Sequence, residues 1–468
     1  MFARRWARAV LTSLIVTALL SGSMPGRDVL VRPALAQETP TPVPPPAAPT
    51  PKPPAAPAPA PTAQVVSTAT FPDLLIGDVQ NALLPGSVPD DHHIFLGGIG
   101  SDLWHGPSDP PDELWLVTDR GPSGQGNNGN DRQSFAIPEY TPLVLHVRLT
   151  GKDVVVLETF PIVGQSGQAV TGLPNLAGRD DAPVDVRAKT KLSFNPSGLD
   201  PEGLVRMPNG DFWIADEYGP SLVHLDPTGK VLKRFVPHGI GLAGADYPVV
   251  EALPVVFAKR SDGEGFEALT ASPDGATLYV AMQGPLSNPT DDVGNRSRNT
   301  RILTFDVASE SVTAEYIYRF ESIRTLDPSK KADPEDIKIS AMALCGDGQL
   351  LVLERTGRVA RLYLANMSEA TNIAGSVWDD LTMKPSLEAV NELPPDGIFP
   401  LAKTLAVDLT DLPKVPDKLE GLAILDQSTI VVANDNDFDI GKFDKNGQND
   451  GQDDKSKLVT ITLFQPLP

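Results

Sequence analysis

The chain has a single cysteine, Cys345, so it forms no internal disulfide and no thiolate metal cage. That thiol follows the apolar residues Ala341, Met342, Ala343 and Leu344 and reads as buried and structural. Histidine is also sparse. The six present, His92, His93, His105, His146, His224 and His238, make no H-E-x-x-H zinc motif. No G-x-S-x-G elbow occurs, which leaves a serine hydrolase of the α/β type without support. No helix with a sustained apolar stripe stands out, and nothing in the sequence fixes an oligomeric state. Positive charge is in deficit: 39 Lys and Arg stand against 60 Asp and Glu, a formal charge of −21. Phosphate backbones and anionic bilayers are bound by basic residues, so neither nucleic acid nor a membrane surface is an expected partner.

What the N-terminus does have is Arg4, Arg5 and Arg8, followed by an apolar run from Ala9 to Leu20 and then Ala34-Leu35-Ala36 before Gln37. The run is too short to span a bilayer comfortably, and the pattern matches a secretory signal over residues 1–36. Export to the periplasm or the extracellular space is expected, with no membrane span once the signal is removed. Residues 37–66 are dominated by Pro, Ala and Thr and read as a semi-rigid, extended tether. The remainder, 67–468, is expected to form one large domain.

That domain is organised around a strand, a turn and a strand. Glu202-Gly203-Leu204 leads through Pro208-Asn209-Gly210 into Phe212-Trp213-Ile214-Ala215-Asp216-Glu217, with Asn-Gly chemistry at the turn. Copies follow. Glu267-Ala268-Leu269 leads to Leu278 through Gln283, Glu335-Asp336-Ile337 to Leu350 through Arg355, and Glu420-Gly421-Leu422 to Ile430 through Asp435. A weaker copy runs from Phe95-Leu96-Gly97-Gly98-Ile99 to Leu114 through Arg120, with Gly98 where the others have Glu. All-β units repeated at this spacing predict a β-propeller of five to seven blades, six favoured.

If the Glu-bearing strand of each hairpin is innermost, Glu202, Glu267, Glu335 and Glu420 converge at one mouth of the central channel, beside Asp216, Glu217, Gln283, Glu354, Arg355, Asn434 and Asp435. Converging carboxylates either take up protons or hold a cation. Oxygen-only ligands select hard ions, calcium first and magnesium second. The metal set expected is Glu202, Glu217, Glu267, Glu335, Glu420 and Asp435. Glu202 and Glu267 are the candidate catalytic bases, with Arg120 and Arg355 orienting an anionic substrate and Arg296, Arg298 and Arg301 as further basic candidates. Asn434-Asp435-Asn436-Asp437 concentrates side-chain oxygens at a strand end. Asp444 to Asp454 alternates Asp, Asn and Gly as calcium loops do, but lacks the sixth-position Gly and twelfth-position Glu of an EF-hand.

The segments Asp200-Pro201-Glu202-Gly203-Leu204, Phe266-Glu267-Ala268-Leu269, Gln283-Gly284-Pro285-Leu286 and Asn434-Asp435-Asn436-Asp437 occur together and in order. From about Ala69 to Phe464 the chain resembles the phytase-like family described by an esterase-like activity of phytase. The resemblance implies a β-propeller and an exported, calcium-associated hydrolase acting on a small phosphoester or other ester. Similarity to the β-propeller phytases further implies clustered calcium ions that hold phosphate and activate water. Two other readings stay open: a noncatalytic propeller that binds a ligand or partner, and a metal-dependent lactonase-type propeller with one ion in the channel.

Overall fold

A computed structural model describes residues 62–125, 132–346, 348–392, 397–451 and 453–468. The expected signal and most of the expected tether lie outside the described residues. The apolar runs form strands because both of their faces are covered: Leu350, Leu351, Val352 and Leu353 are all fully buried, alternate residues facing opposite neighbours. Five antiparallel blades result among the described residues, within the expected range and one fewer than the favoured six.

From the channel outward, blade one is Asp102–Trp104, Glu113–Val117, Leu143–Thr150 and Asp153–Pro161. Blade two is Pro201–Arg206, Phe212–Asp216, Ser221–Leu225 and Val231–Pro237, extended by Val249–Leu253 in parallel. Blade three is Phe266–Ala271, Thr277–Met282, Asn299–Asp306 and Ser311–Arg319, and blade four Lys338–Leu344, Gln349–Arg355, Ala360–Asn366 and Ala402–Asp408. Blade five joins Leu419–Asp426, Thr429–Asn434 and Lys457–Leu463 to Ala63–Thr70, from the other end of the domain. That pairing closes the ring. It also takes Ala63 to Val66, which fall within the expected tether, into the sheet.

Each pair of neighbouring blades shares its own apolar cluster. Trp115, Val117, Leu204 and Ile214 lie between blades one and two, Trp213, Leu269 and Phe305 between two and three, and Ile302, Met342 and Val352 between three and four. Leu351, Leu422 and Ile461 fill the joint of blades four and five, and Leu103, Leu116 and Val431 that of five and one. Two long stretches, 165–195 and 376–415, have room for another blade, and among the described residues neither forms one. Residues 165–195 contribute Ala182–Asp185 to a small three-stranded sheet, and residues 376–415 carry two 3-10 turns before the outer strand of blade four.

A buried ion pair anchors blade two to its loops. The Arg234 guanidinium, with no exposed surface, donates to Asp216 (2.6 Å), Asn175 (2.8 Å), Ser221 (2.7 Å) and the Tyr218 carbonyl (2.7 Å). Asp216 in turn accepts the Asp200 amide at 2.7 Å, which fixes the entry of the inner strand. Removing one partner of such a pair leaves an uncompensated buried charge. Arg234→Met should therefore lower the unfolding free energy by about 3–5 kcal/mol, read from urea denaturation.

Candidate functional site

The inner strands of blades two to five carry a β-bulge near their start, at Glu202, Glu267, Ser340 and Glu420. A bulge re-aims one side chain, and three of these four are glutamates gathered at one end of the channel. Blade four breaks the series. Glu335 stands in an exposed 3-10 turn, Pro334–Asp336, before the strand begins, and Ser340 takes the bulge. The turn spacing carries this signal: Glu202 precedes Asn209, Glu267 precedes Asp274 and Glu420 precedes Gln427 by seven residues, and the residue seven before Asp347 is Ser340.

The ends of the second strands supply the next ring of side chains. Strand alternation sends Asp216, Glu354 and Asn434 into the blades, and their successors Glu217, Arg355 and Asp435 to the mouth, with Gln283 and Asp119 at the matching places. Glu354 is held away from the channel by Tyr318 Oη at 2.9 Å and Lys403 Nζ at 2.5 Å. A third ring stands where the inner strands begin, at Asp200, Lys338 and Lys418. Blade three has Gly265 there, where a Cβ would come 2.1 Å from the Glu217 carbonyl oxygen.

Most of the charges are paired across blades. Arg120 of blade one meets Asp200 and, at 3.2 Å, Glu217 of blade two. Arg355 of blade four bonds Glu420 of blade five and the Ser340 hydroxyl at 2.6 Å. Lys338 meets Glu264, and Lys418 meets Asp435 at 2.7 Å and Asp437 at 2.5 Å. Gln283 donates to Glu267 at 2.6 Å. Glu202 differs: it is buried and accepts no hydrogen bond from the described residues. Carboxylate oxygens of Asp200, Glu202 and Glu217 lie within 4.8 Å of one another, the donor set of a hard-cation site. Beside them a cavity of about 530 Å³ is lined by Arg120, Gln133, Asp180, Tyr218, Arg260 and Asp437, among others.

A family model for the phytase-like domain, described as esterase-like activity of phytase, matches residues 94–438. The chain belongs to this family. A protein of Arthroderma benhamiae described as an uncharacterized secreted protein is 26% identical over 330 residues, covering 61% of this chain and 64% of that protein. The chain thus spans less than two thirds of that relative's length. Among solved structures, it is similar to a luciferin-regenerating enzyme at 12% identity, covering 80% of this chain and 96% of that one with a TM-score of 0.31. It is also similar to the Cps50 (Swd1) β-propeller domain of Myceliophteria thermophila, at 9% identity over 81% and 99% of the two chains, TM-score 0.30. Scores of that size carry no argument, and the propeller rests on the sheet order above.

In this phytase-like propeller the expected Glu202, Glu217, Glu267, Glu420, Asp435, Arg120 and Arg355 come together at one mouth; Glu335 does not. Asp119, which precedes Arg120 at the end of its strand and reads from sequence as a substrate or cation contact, joins the residues at the mouth; sequence reasoning missed Asp200, Lys338 and Lys418, although Asp200 stands two residues before Glu202. Arg296, Arg298 and Arg301 are elsewhere. Arg301 is fully buried against Glu315 and Glu388, Arg298 bonds the Phe320 carbonyl, and Arg296 pairs with Asp292 on the surface. The Asp444–Asp454 loop folds on itself, Asp444 accepting the amides of Asn446 (2.7 Å) and Gln448 (2.9 Å).

Crowding sets the protonation states. Burial raises the Glu202 carboxyl well above its usual range, and Asp200, Glu267, Glu217 and Glu420 push it further. Glu267 is raised by burial and by Glu217 and Glu420, and Asp119 by burial and by Asp435 and Asp200. Burial is the largest influence on Glu217 and raises it, but Arg120, the contact with Asp200, Arg260 and Lys338 together outweigh burial and hold that carboxyl low. Burial also lowers Lys338 to about 8.

Glu420 is raised by burial from 4.5 to about 7 against the pull of Lys418 and Arg355. The folded state therefore binds its proton more tightly than the unfolded state, and stability from this group is lost as pH rises from 4.5 through 7. Glu420→Gln removes the penalty. Its unfolding free energy relative to the parent should shift in the variant's favour between pH 4.5 and 8, by up to about 3 kcal/mol, as read by denaturation at both pH values.

Proposed function

We propose that the protein is an exported hydrolase of phosphoesters or other esters that holds a hard divalent cation, calcium first and magnesium second, at the acidic mouth. The observation that carries this reading is Glu202, which is 9% exposed, accepts no hydrogen bond from the described residues and faces Asp200 and Glu217. A cation there would give that carboxylate the partner the described residues do not supply. Asp200, Glu202 and Glu217 would hold the ion, with Glu420 and Asp435 contributing negative field. When bound, such an ion supplies positive charge against a phosphoryl or carbonyl oxygen.

The chain's own residues divide the remaining work. Glu267, kept protonated by burial and by its neighbours, stands ready to give a proton to a departing alkoxide. Arg120 borders the cavity and orients the substrate's acyl or phosphoryl oxygens. Arg355, only 8% exposed and bonded to Glu420 and Ser340, positions and tunes Glu420 rather than meeting substrate. Lys338, Lys418 and Arg120 each already face carboxylates, so a phosphate dianion depends on the metal for its counter-charge more than a neutral ester does. Export follows the expected signal and agrees with the description of the fungal relative.

Calorimetric titration with calcium, together with hydrolysis of p-nitrophenyl phosphate, phytate and short-chain esters with and without EDTA, tests this reading. Saturable calcium binding and EDTA-sensitive turnover are expected. Glu202→Gln should weaken calcium binding by about tenfold or more and cut turnover by about 100-fold while the thermal midpoint holds. A folded protein with neither binding nor turnover overturns the hydrolase and leaves a ligand-binding propeller.

A further inference from the structure

The opposite end of the channel is chemically unlike the acidic mouth. The inner strands run from the carboxylates toward a second cavity of about 420 Å³, within the range of small-molecule sites. Half-buried Leu344, Ile424 and Leu425 present apolar surface to it, and the nearly buried Met207, Leu269, Met342 and Leu422 of the interblade cores stand behind. Asp102 stands between the two ends: it is buried, and it accepts the Leu103 amide at 2.8 Å and the Leu204 amide at 2.9 Å. No carboxylate ring exists here. The acid in the lining, Asp109, is engaged by the Gly106 amide at 2.8 Å.

Two hydrogen-bond donors in this lining, Trp104 Nε1 and Arg206 Nε, have no acceptor among the described residues. The indole Nε1 of Trp104 is buried without a partner, and a Cβ on Gly106, also in the lining, would come 3.3 Å from it. The Nε of Arg206 is buried without a partner as well. Its guanidinium makes no hydrogen bond with the described residues; it lies 4.8 Å over the Trp115 ring and approaches Asp109 no closer than 4.0 Å. Buried donors are nearly always satisfied, so two at the edge of one cavity call for an acceptor from outside the chain. A carboxylate offers two acceptor oxygens in one plane, matched to a guanidinium, and a short apolar tail matches the leucine and isoleucine side chains of the lining.

We propose that this end of the channel is a second binding site, for an amphiphilic organic anion with a carboxylate head and a short apolar tail. Arg206 and Trp104 hold the head, and Leu344, Ile424 and Leu425 enclose the tail. The site is separate from the acidic mouth and does not depend on a metal.

Titrating the full chain calorimetrically with octanoate, and in parallel with octanol and acetate, tests the assignment in EDTA. One saturable octanoate site is expected, with octanol and acetate weaker by about tenfold or more. Trp104→Phe and Arg206→Met should each weaken octanoate about tenfold. Ser108→Trp, at an exposed lining position, should block the cavity without moving the thermal midpoint. Glu202→Gln should leave octanoate affinity unchanged. The proposal is overturned by absence of saturable binding, by octanol binding as tightly as octanoate, or by binding that survives Ser108→Trp and is lost in Glu202→Gln.

Discussion

One extra residue in each of four inner strands governs this molecule. The bulges at Glu202, Glu267 and Glu420 turn glutamates out of the blade stack and into the channel, where the ring brings them together. Five blades make a narrow ring, and negative charge gathered there must be answered. The chain answers with cations carried on neighbouring blades: Arg120 reaches from blade one to blade two, Lys338 from blade four to Glu264 at the start of blade three, and Arg355 from blade four to blade five. The same contacts that neutralise the site therefore tie successive blades together. Site electrostatics and ring closure are one problem, solved by one set of residues.

The fold was legible because its signals are local. Each hairpin announces itself by a turn and an apolar run, and a third strand follows in blades two, three and four as Ser221–Leu225, Asn299–Asp306 and Ala360–Asn366. The blade count was less legible, since an irregular connection as long as 165–195 has room for a blade and only packing decides that it forms none. The weak first copy shows the same limit. Its inner strand is Asp102–Trp104 and not the run Phe95 to Ile99, because Gly97, Gly98 and Gly100 are pressed against Asn436, Phe438 and Asn434 of blade five.

Within the site, sequence gave the acids on the hairpins and missed the residues at the strand entries. Asp200, Lys338 and Lys418 belong to no motif of their own; their place comes from the register between the first and second strands, which fixes who stands opposite Glu217, Arg355 and Asp435. Glu335 misled for the reverse reason. Its Glu-Asp-Ile resembles the start of a copy, yet a 3-10 turn intervenes and the strand starts at Lys338. A count back from the turn is the better ruler, because hairpin geometry conserves that distance whatever the lead-in does.

Proton, guanidinium and metal ion are thus alternatives for the same oxygens. Asp200 and Glu217 are engaged by Arg120, while Glu202 lacks a donor and takes up a proton by default. The divalent ion proposed for this site would have to displace that proton and compete with the guanidinium, so its affinity would rise with pH as Glu202 ionises. Arg120 does not have to leave; released from one carboxylate, its fork can turn toward the cavity it already borders and meet an anionic group there. In that proposal metal binding and substrate orientation would be coupled through one side chain. The carboxylates that hold the arginine back are those the ion would neutralise.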